Sequence, residues 1–279
     1  MAQLAHLLAG TDLTGRSVYP LQRTMQLRAE SDCQVTVLHV VEHGLTAGIT
    51  ERRRAEALSE LETWERSLTE ATQPGVSVDV VVGDPFAAIL EALRSLKADL
   101  AVIGGPGKRG LKELFTGTTA ERVVRFADQP VLMVNHHPNG PYKRVLVAID
   151  FSQGARHALE WACRVAPEAE IRLVHAWQAP VKGRAHEKQK TDAANRRLRE
   201  QEEQQLKAVI EQVAPALSLP LEIVEDEPHS ALRNSIGAFN SDLLAMGTHA
   251  RSRLSTAVVG GLAQEFLAAG PCDVLVARG

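Results

Sequence analysis

Two hydrophobic periods take turns along this chain. Short apolar runs of strand length, LAHLLAG, QVTVLHVV, VSVDVVVG, ADLAVIGG and PVLMVN, alternate with stretches whose apolar positions recur every three or four residues. The spacing predicts helices over roughly Ser17–Ala29, about Thr50–Ala71, AAILEALRSL, and Glu121 to Phe126. The second of these is charged and amphipathic, with Ala55, Leu58, Leu61 and Leu68 on one face. Past residue 142 the same order begins again, with a longer insertion over about 182–206 rich in Lys, Arg, Glu and Gln. That insertion reads as the exposed face of a long helix or as a mobile segment. Strands that alternate with helices need crossover connections, so each half predicts a mainly parallel sheet covered on both faces, with a doubly wound order leading.

The recurrence is a true repeat. Residues 98–134 align without a gap with 241–277, 143 residues on, and the same offset pairs Asp84-Pro85 with Glu227-Pro228. Upstream, the segment around Asp12 pairs with that around Asp150, and VTVLHVV (35–41) with IRLVHAW (171–177). The small drift falls in connections, where insertions are tolerated. The boundary lies in HHPNGPYK (136–143), giving domains 1–138 and 142–279.

Composition narrows the function. The chain has 279 residues, 44% apolar and 23% charged, ordinary for a globular protein of two domains. Aromatics at 4% leave little for stacking on single-stranded nucleic acid, and a net charge of −3 argues against a phosphate-backbone binder. Cys33, Cys163 and Cys272 form no CxxC and read as buried or free thiols in a reducing compartment. The N-terminal stretch has no basic leader, its apolar run stops at Asp12, and no run approaches the ~20 apolar residues of a membrane span. A soluble, cytoplasmic protein without membrane or nucleic-acid partners is expected.

In a doubly wound sheet the ligand sits beyond the carboxyl ends of the strands, where strand order reverses. Asp12 and Asp150 follow the first strand of each half, and either could instead cap the next helix. After the fourth strand come Gly104-Gly105-Pro106-Gly107-Lys108-Arg109-Gly110 in the first half and Gly247-Thr248-His249-Ala250 in the second. Glycines there let backbone N–H groups approach a phosphate, and the following helix adds its positive end. Lys108 and Arg109 bring charge to the same loop, and Gly117-Thr118-Thr119 offers a second close approach with hydroxyls. The Walker pattern fails, because Arg109 follows Lys108. GxGxxG is met in letters by Gly105, Gly107 and Gly110, but after the fourth strand rather than the first. His39 and His175 read as core histidines, and Trp161 and Trp177 as part of the second core. The adjacent pair His136-His137 diverges in a linker and shows no third metal ligand.

These residues resemble the universal stress protein family, and the whole chain resembles its tandem form. Members of that family that bind nucleotide carry G-x2-G-x9-G-[ST] after the fourth strand, which Gly104, Gly107, Gly117 and Thr118 match. The resemblance also covers Asp12, Leu38-His39-Val40 and the GDP at 83–85. It implies a five-stranded adenine nucleotide alpha hydrolase-like fold in each half, packed as a pseudo-dimer through the last strands, with a homodimer of whole chains possible. It further implies ATP or ADP, with Mg carried on the phosphates, bound by Thr11, Asp12, Val40, Ile103, Gly104, Gly107, Lys108, Arg109, Gly117, Thr118 and Thr119.

The second half departs from the motif. Gly247 and Gly260 are kept, but Ala250 and Gly261 replace the second glycine and the Ser/Thr. Asp150, Ala176, Gly247, His249, Gly260 and Gly261 are its weaker candidates. A nucleotide-dependent regulatory or protective stress-response factor is the leading expectation, against a ligand-free interaction scaffold or a slow ATPase. No acidic pair or base faces the motif, so at most weak hydrolysis is expected.

Overall fold

The computed structural model describes residues 3–15, 17–44, 46–68, 75–105, 118–180, 188–248 and 260–279. The first repeat runs β1 (His6–Thr11), α1 (Val18–Ser31), β2 (Gln34–Glu42), α2 (Ala47–Leu68), β3 (Val76–Gly83), α3 (Pro85–Ser95), β4 (Leu100–Gly104), α4 (Thr119–Phe126) and β5 (Val131–Val134). Its strands lie in the order β3-β2-β1-β4-β5, all parallel. Leu7 of β1 pairs with Val35 on one side and Leu100 on the other. The chain therefore enters the sheet at its middle, walks outward to β3, and returns to β4.

Burial follows this order. Every residue of β5 and nearly all of β4 is buried, as in strands covered on both faces, whereas β3 at the sheet edge alternates. Leu7, Leu8, Leu27, Leu61, Leu93, Leu100, Leu132 and Met133 are fully buried and form this core. α3 starts where Asp84 accepts the Ala87 N–H at 2.9 Å and Pro85 supplies a preset φ. On α2 the buried face is set by Ala57 and Leu61; Leu58 is half-buried and Ala55, expected on that face, is exposed. The stripe is turned because Arg54 reaches the sheet edge and donates to the Val80 carbonyl at 3.1 Å. The Leu68 side chain lies outside the described residues.

The second repeat runs β6 (Arg144–Ala148), α5 (Gln153–Val165), β7 (Glu170–Trp177), α6 (Lys188–Val213), β8 (Leu221–Glu225), α7 (Pro228–Phe239), β9 (Leu243–Gly247), α8 (Gly261–Ala269) and β10 (Asp273–Ala277). β8-β7-β6-β9 repeat the parallel order of the first copy around a core that includes Leu146, Leu159 and Leu173. The polar insertion is helical from Lys188 onward, as the long α6. Trp177 is buried, but Trp161 is half-buried with the Arg164 guanidinium over its ring at 4.8 Å. An indole that carries a cation on its face can stay at the surface without exposing its apolar area. All three cysteines are buried free thiols, and burial pushes Cys163 up to about 11.

Compact units and repeats do not coincide. The chain up to Pro141 forms one unit together with α8 and β10 through Val276, and Tyr142 onward forms the other. Within the first unit β10 pairs antiparallel with β5, Leu275 opposite Leu132. The last strands of the two repeats are thus joined, as the resemblance implies. Asp273, on β10, is 2% exposed, and its Oδ1 accepts the N–H groups of Asn135 (2.8 Å) and His136 (3.3 Å). Its Oδ2 faces the Arg23 Nε of α1 at 3.7 Å, and Arg23 also donates to the Gly140 carbonyl. One buried carboxylate thus ties α1 and the residues after β5 to the final strand. Asp273→Ala should destabilise the protein by roughly 3 kcal/mol, because it deletes the carboxylate of a buried ion pair and the acceptor of two backbone donors. Urea unfolding followed by tryptophan fluorescence measures this.

Candidate functional site

All strands of the first copy end on the same edge, and the reversal of direction between β1 and β4 opens a cleft there of about 1350 Å³. The ends of β1, β2 and β4 and the start of α4 contribute Thr11, Asp12, Val40, Ile103, Gly104, Thr118 and Thr119, all expected from the sequence. Gly107, Lys108, Arg109 and Gly117 lie outside the described residues.

The β1–α1 loop is built to present Asp12. The Thr11 hydroxyl accepts the Leu13 N–H at 3.1 Å, and Asp12 Oδ1 accepts both the N–H (3.0 Å) and the hydroxyl (2.8 Å) of Thr14. Asp12 is exposed on the cleft and caps no helix, since α1 begins only at Val18 behind Ser17. Between these bonds Leu13 is held at φ 58, a left-handed conformation costing a branched residue about 1–2 kcal/mol. The His39 Nδ1–H donates to the Thr11 carbonyl at 3.0 Å, which in the neutral ring makes Nε2 an acceptor on the cleft wall.

On the β4 side, a Cβ added to Gly104 would meet, among the described residues, only Pro20 Cγ, at 3.7 Å. Thr118 is the N-cap of α4, accepting the Glu121 N–H at 3.2 Å, so the first turn of α4 opens onto the cleft through Thr118, Thr119 and Ala120. Helix starts of this kind attract anions. Behind it Glu121 pairs with Arg125, while Arg122 reaches Asp84 at 3.3 Å. The Ala87 N–H and the Arg122 guanidinium hold the Asp84 carboxyl below the usual range.

Several lining residues were not foreseen. Glu42, Arg53, Glu56 and Glu60 line the cleft beside β2, and Asn135, His136 and His137 line it after β5 with Ala268, Ala269 and Gly270 at the end of α8. No repeat or motif marks the α8 residues, because their place depends on the β5–β10 pairing. Among the described residues no group of three or more His, Cys, Asp or Glu could hold a metal, and no helix is long and apolar enough to cross a membrane.

The second unit is arranged differently at the corresponding strand ends. Asp150 Oδ1 accepts the Ser152 N–H at 2.8 Å, and Ser152 caps α5, which starts three residues after Asp150 rather than six. His175 keeps the bond of His39, to the Ile149 carbonyl at 2.8 Å, but is buried, with Phe151 edge-on to its ring and Glu202 at 3.5 Å. Ala176 is half-buried. Gly247 abuts the start of α5: a Cβ there would lie 2.7 Å from the Gly154 carbonyl carbon and 2.8 Å from the Ala155 nitrogen. Gly260 is the N-cap of α8 and Gly261 its first residue; α8 belongs to the first unit. His249 lies outside the described residues. Among the described residues the matching glycines therefore meet different surroundings, an ordinary contact with the Pro20 ring at Gly104 and close backbone at Gly247. Gly247→Ala should cost about 1–3 kcal/mol through overpacking against backbone, while Gly104→Ala leaves the unfolding midpoint nearly unchanged. Parallel denaturant titrations of the two variants check the contrast.

The model of the universal stress protein family matches residues 4–135 and again 141–278. The universal stress protein MJ0531 of Methanocaldococcus jannaschii is 31% identical over 44% of this chain and 78% of its own length. The universal stress protein A homolog 2 of Coxiella burnetii is 30% identical over 46% of this chain and 92% of its own. Among solved structures, a universal stress protein of Archaeoglobus fulgidus superposes with a TM-score of 0.70 at 21% identity, covering 99% of this chain and 97% of that one. At that identity the likeness is one of fold. With two successive matches that together span nearly the whole length, the chain belongs to the universal stress protein family, as a tandem of two copies of its domain.

Proposed function

We propose that this stress-response protein, organised as domains 1–138 and 142–279, binds an adenine nucleotide, ATP or ADP, in the cleft of the first copy and acts as a nucleotide-dependent regulatory or protective factor in the cytoplasm. The observation that carries the reading is the convergence of Asp12, Val40, Gly104 and Thr118 on one cleft at the reversal between β1 and β4. The surroundings suit the ligand. Val40 and Ile103 offer apolar area to a base, the exposed Asp12 carboxylate is an acceptor for sugar hydroxyls, and Gly104 puts no side chain in the way of close approach. The open first turn of α4 and the Thr118 hydroxyl suit phosphate oxygens. Gly107, Lys108, Arg109 and Gly117 belong to the same proposed set by motif, as does Thr119, which lines the cleft. A divalent cation such as Mg would arrive on the phosphates. Bound nucleotide supplies negative charge at the end of the sheet; the chain's part is to orient it and exclude water from its base.

The second copy is the weaker site. Its Asp150 persists, but Phe151 and Glu202 cover His175, and the backbone of α5 stands against Gly247. Freshly purified protein, denatured and assayed by chromatography and mass spectrometry, should release about one adenine nucleotide per chain, and Asp12→Ala should lower the yield several-fold. Absence of nucleotide, together with no heat of binding on addition of Mg-ATP, would overturn the proposal.

A further inference from the structure

The cleft has a wall that this reading leaves unused, the residues that leave β5. Val134 pairs with Gly104, and the Gly105 N–H donates to the Val134 carbonyl at 3.1 Å, so Asn135, His136 and His137 emerge beside the start of the glycine loop. They are held firmly. Asp273 accepts the Asn135 and His136 N–H groups, and Asn135 Nδ2 donates to the Cys272 carbonyl at 2.8 Å. Gly270, at φ +53, lies against the Asn135 side chain, where a Cβ would come within 3.1 Å. A Cβ at Gly105 would fall 1.8 Å from Asn135 Oδ1, so Asn135 also fills the space beside Gly105. The Tyr19 ring meets His137 edge-on at 5.4 Å between centroids. Two imidazoles thus line the cleft from a backbone fixed at three points, and this is not what an incidental linker requires.

Their place across the sheet indicates what they would meet. A nucleoside lying against Val40 and Asp12 occupies the ends of β2 and β1. Its phosphates then run across β4 and the α4 start, and the next strand end in that direction is β5, about 5 Å further on. From the proposed nucleotide reading, on which this rests, we infer that His136 and His137 bind the outermost phosphates of a nucleoside triphosphate, so that the cleft distinguishes ATP from AMP. Imidazole N–H groups donate to phosphate oxygens, and the surroundings allow it. α8 presents only Ala268, Ala269 and Gly270 to the cleft, and the carboxylate of Asp273, 4.0 Å from His136 Nδ1, is turned to Arg23 and the backbone. The second repeat thereby shapes the ligand site of the first, through Asp273, Cys272 and Gly270.

The test is isothermal titration of the full chain with Mg-ATP, ADP and AMP, for the wild type and for His136→Ala, His137→Ala and the double variant. The double variant should lose about tenfold or more in ATP affinity while AMP affinity stays within about twofold, with ADP between. An unchanged urea midpoint separates lost contacts from a loosened fold. If ATP and AMP weaken together, or neither changes, the histidines are wall and not ligand, and the inference fails while the nucleotide reading stands. If the wild type binds none of the three, both fail.

Discussion

A parallel sheet whose helices cover both faces has to change direction somewhere, and in the first copy that happens between β1 and β4. The crossovers leaving the two strands lead to helices on opposite faces, which sets a gap between the two strand ends. Everything of chemical interest here hangs on that gap. Asp12 comes from the loop on one side, the first turn of α4 from the other, and the flanking β2 and β5 supply the walls. The left-handed Leu13 shows the loop held in a conformation it would not choose alone, stabilised by the bonds of Thr11 and Thr14 around it.

A second constraint is electrostatic. Asp273 is buried on the last strand, and a buried carboxylate must be matched by donors or neutralised. It is matched by two backbone N–H groups and faced by Arg23, all belonging to the first repeat. Together with the β5–β10 ladder, this makes α8 and β10 through Val276 part of the first compact unit. The boundary of the repeat in sequence and the boundary of packing in space are therefore different lines.

The two copies show how one scaffold can diverge without losing its fold. Both keep the aspartate after the first strand, and both keep a histidine bonded to the carbonyl that precedes it. The differences are of length and bulk. A shorter loop lets α5 start early and press on Gly247, and Phe151 stands where the first copy has Leu13. A glycine kept at the same place in both copies thus packs against the α5 backbone in one and lines the cleft in the other.

Much of this was legible from the residues. Apolar period and repeat set the order of strands and helices, and Asp12, Gly104 and Thr118 could be placed at strand ends and helix starts because such positions follow from local pattern. The buried face of α2 was misjudged at Ala55, because which side of a charged helix meets the sheet depends on the sheet edge and on Arg54 reaching it. Trp161 was placed too deep, because Arg164 covers it from outside. The places of Asn135, His136, His137 and Gly270 on the cleft were out of reach of the sequence. Alone it determined the elements, the parallel class and the duplicated architecture, since those depend on periodicity and short-range chemistry. Only the tertiary structure decided which segments share a wall, because a ladder between strands more than a hundred residues apart and the matching of one buried charge leave no local trace.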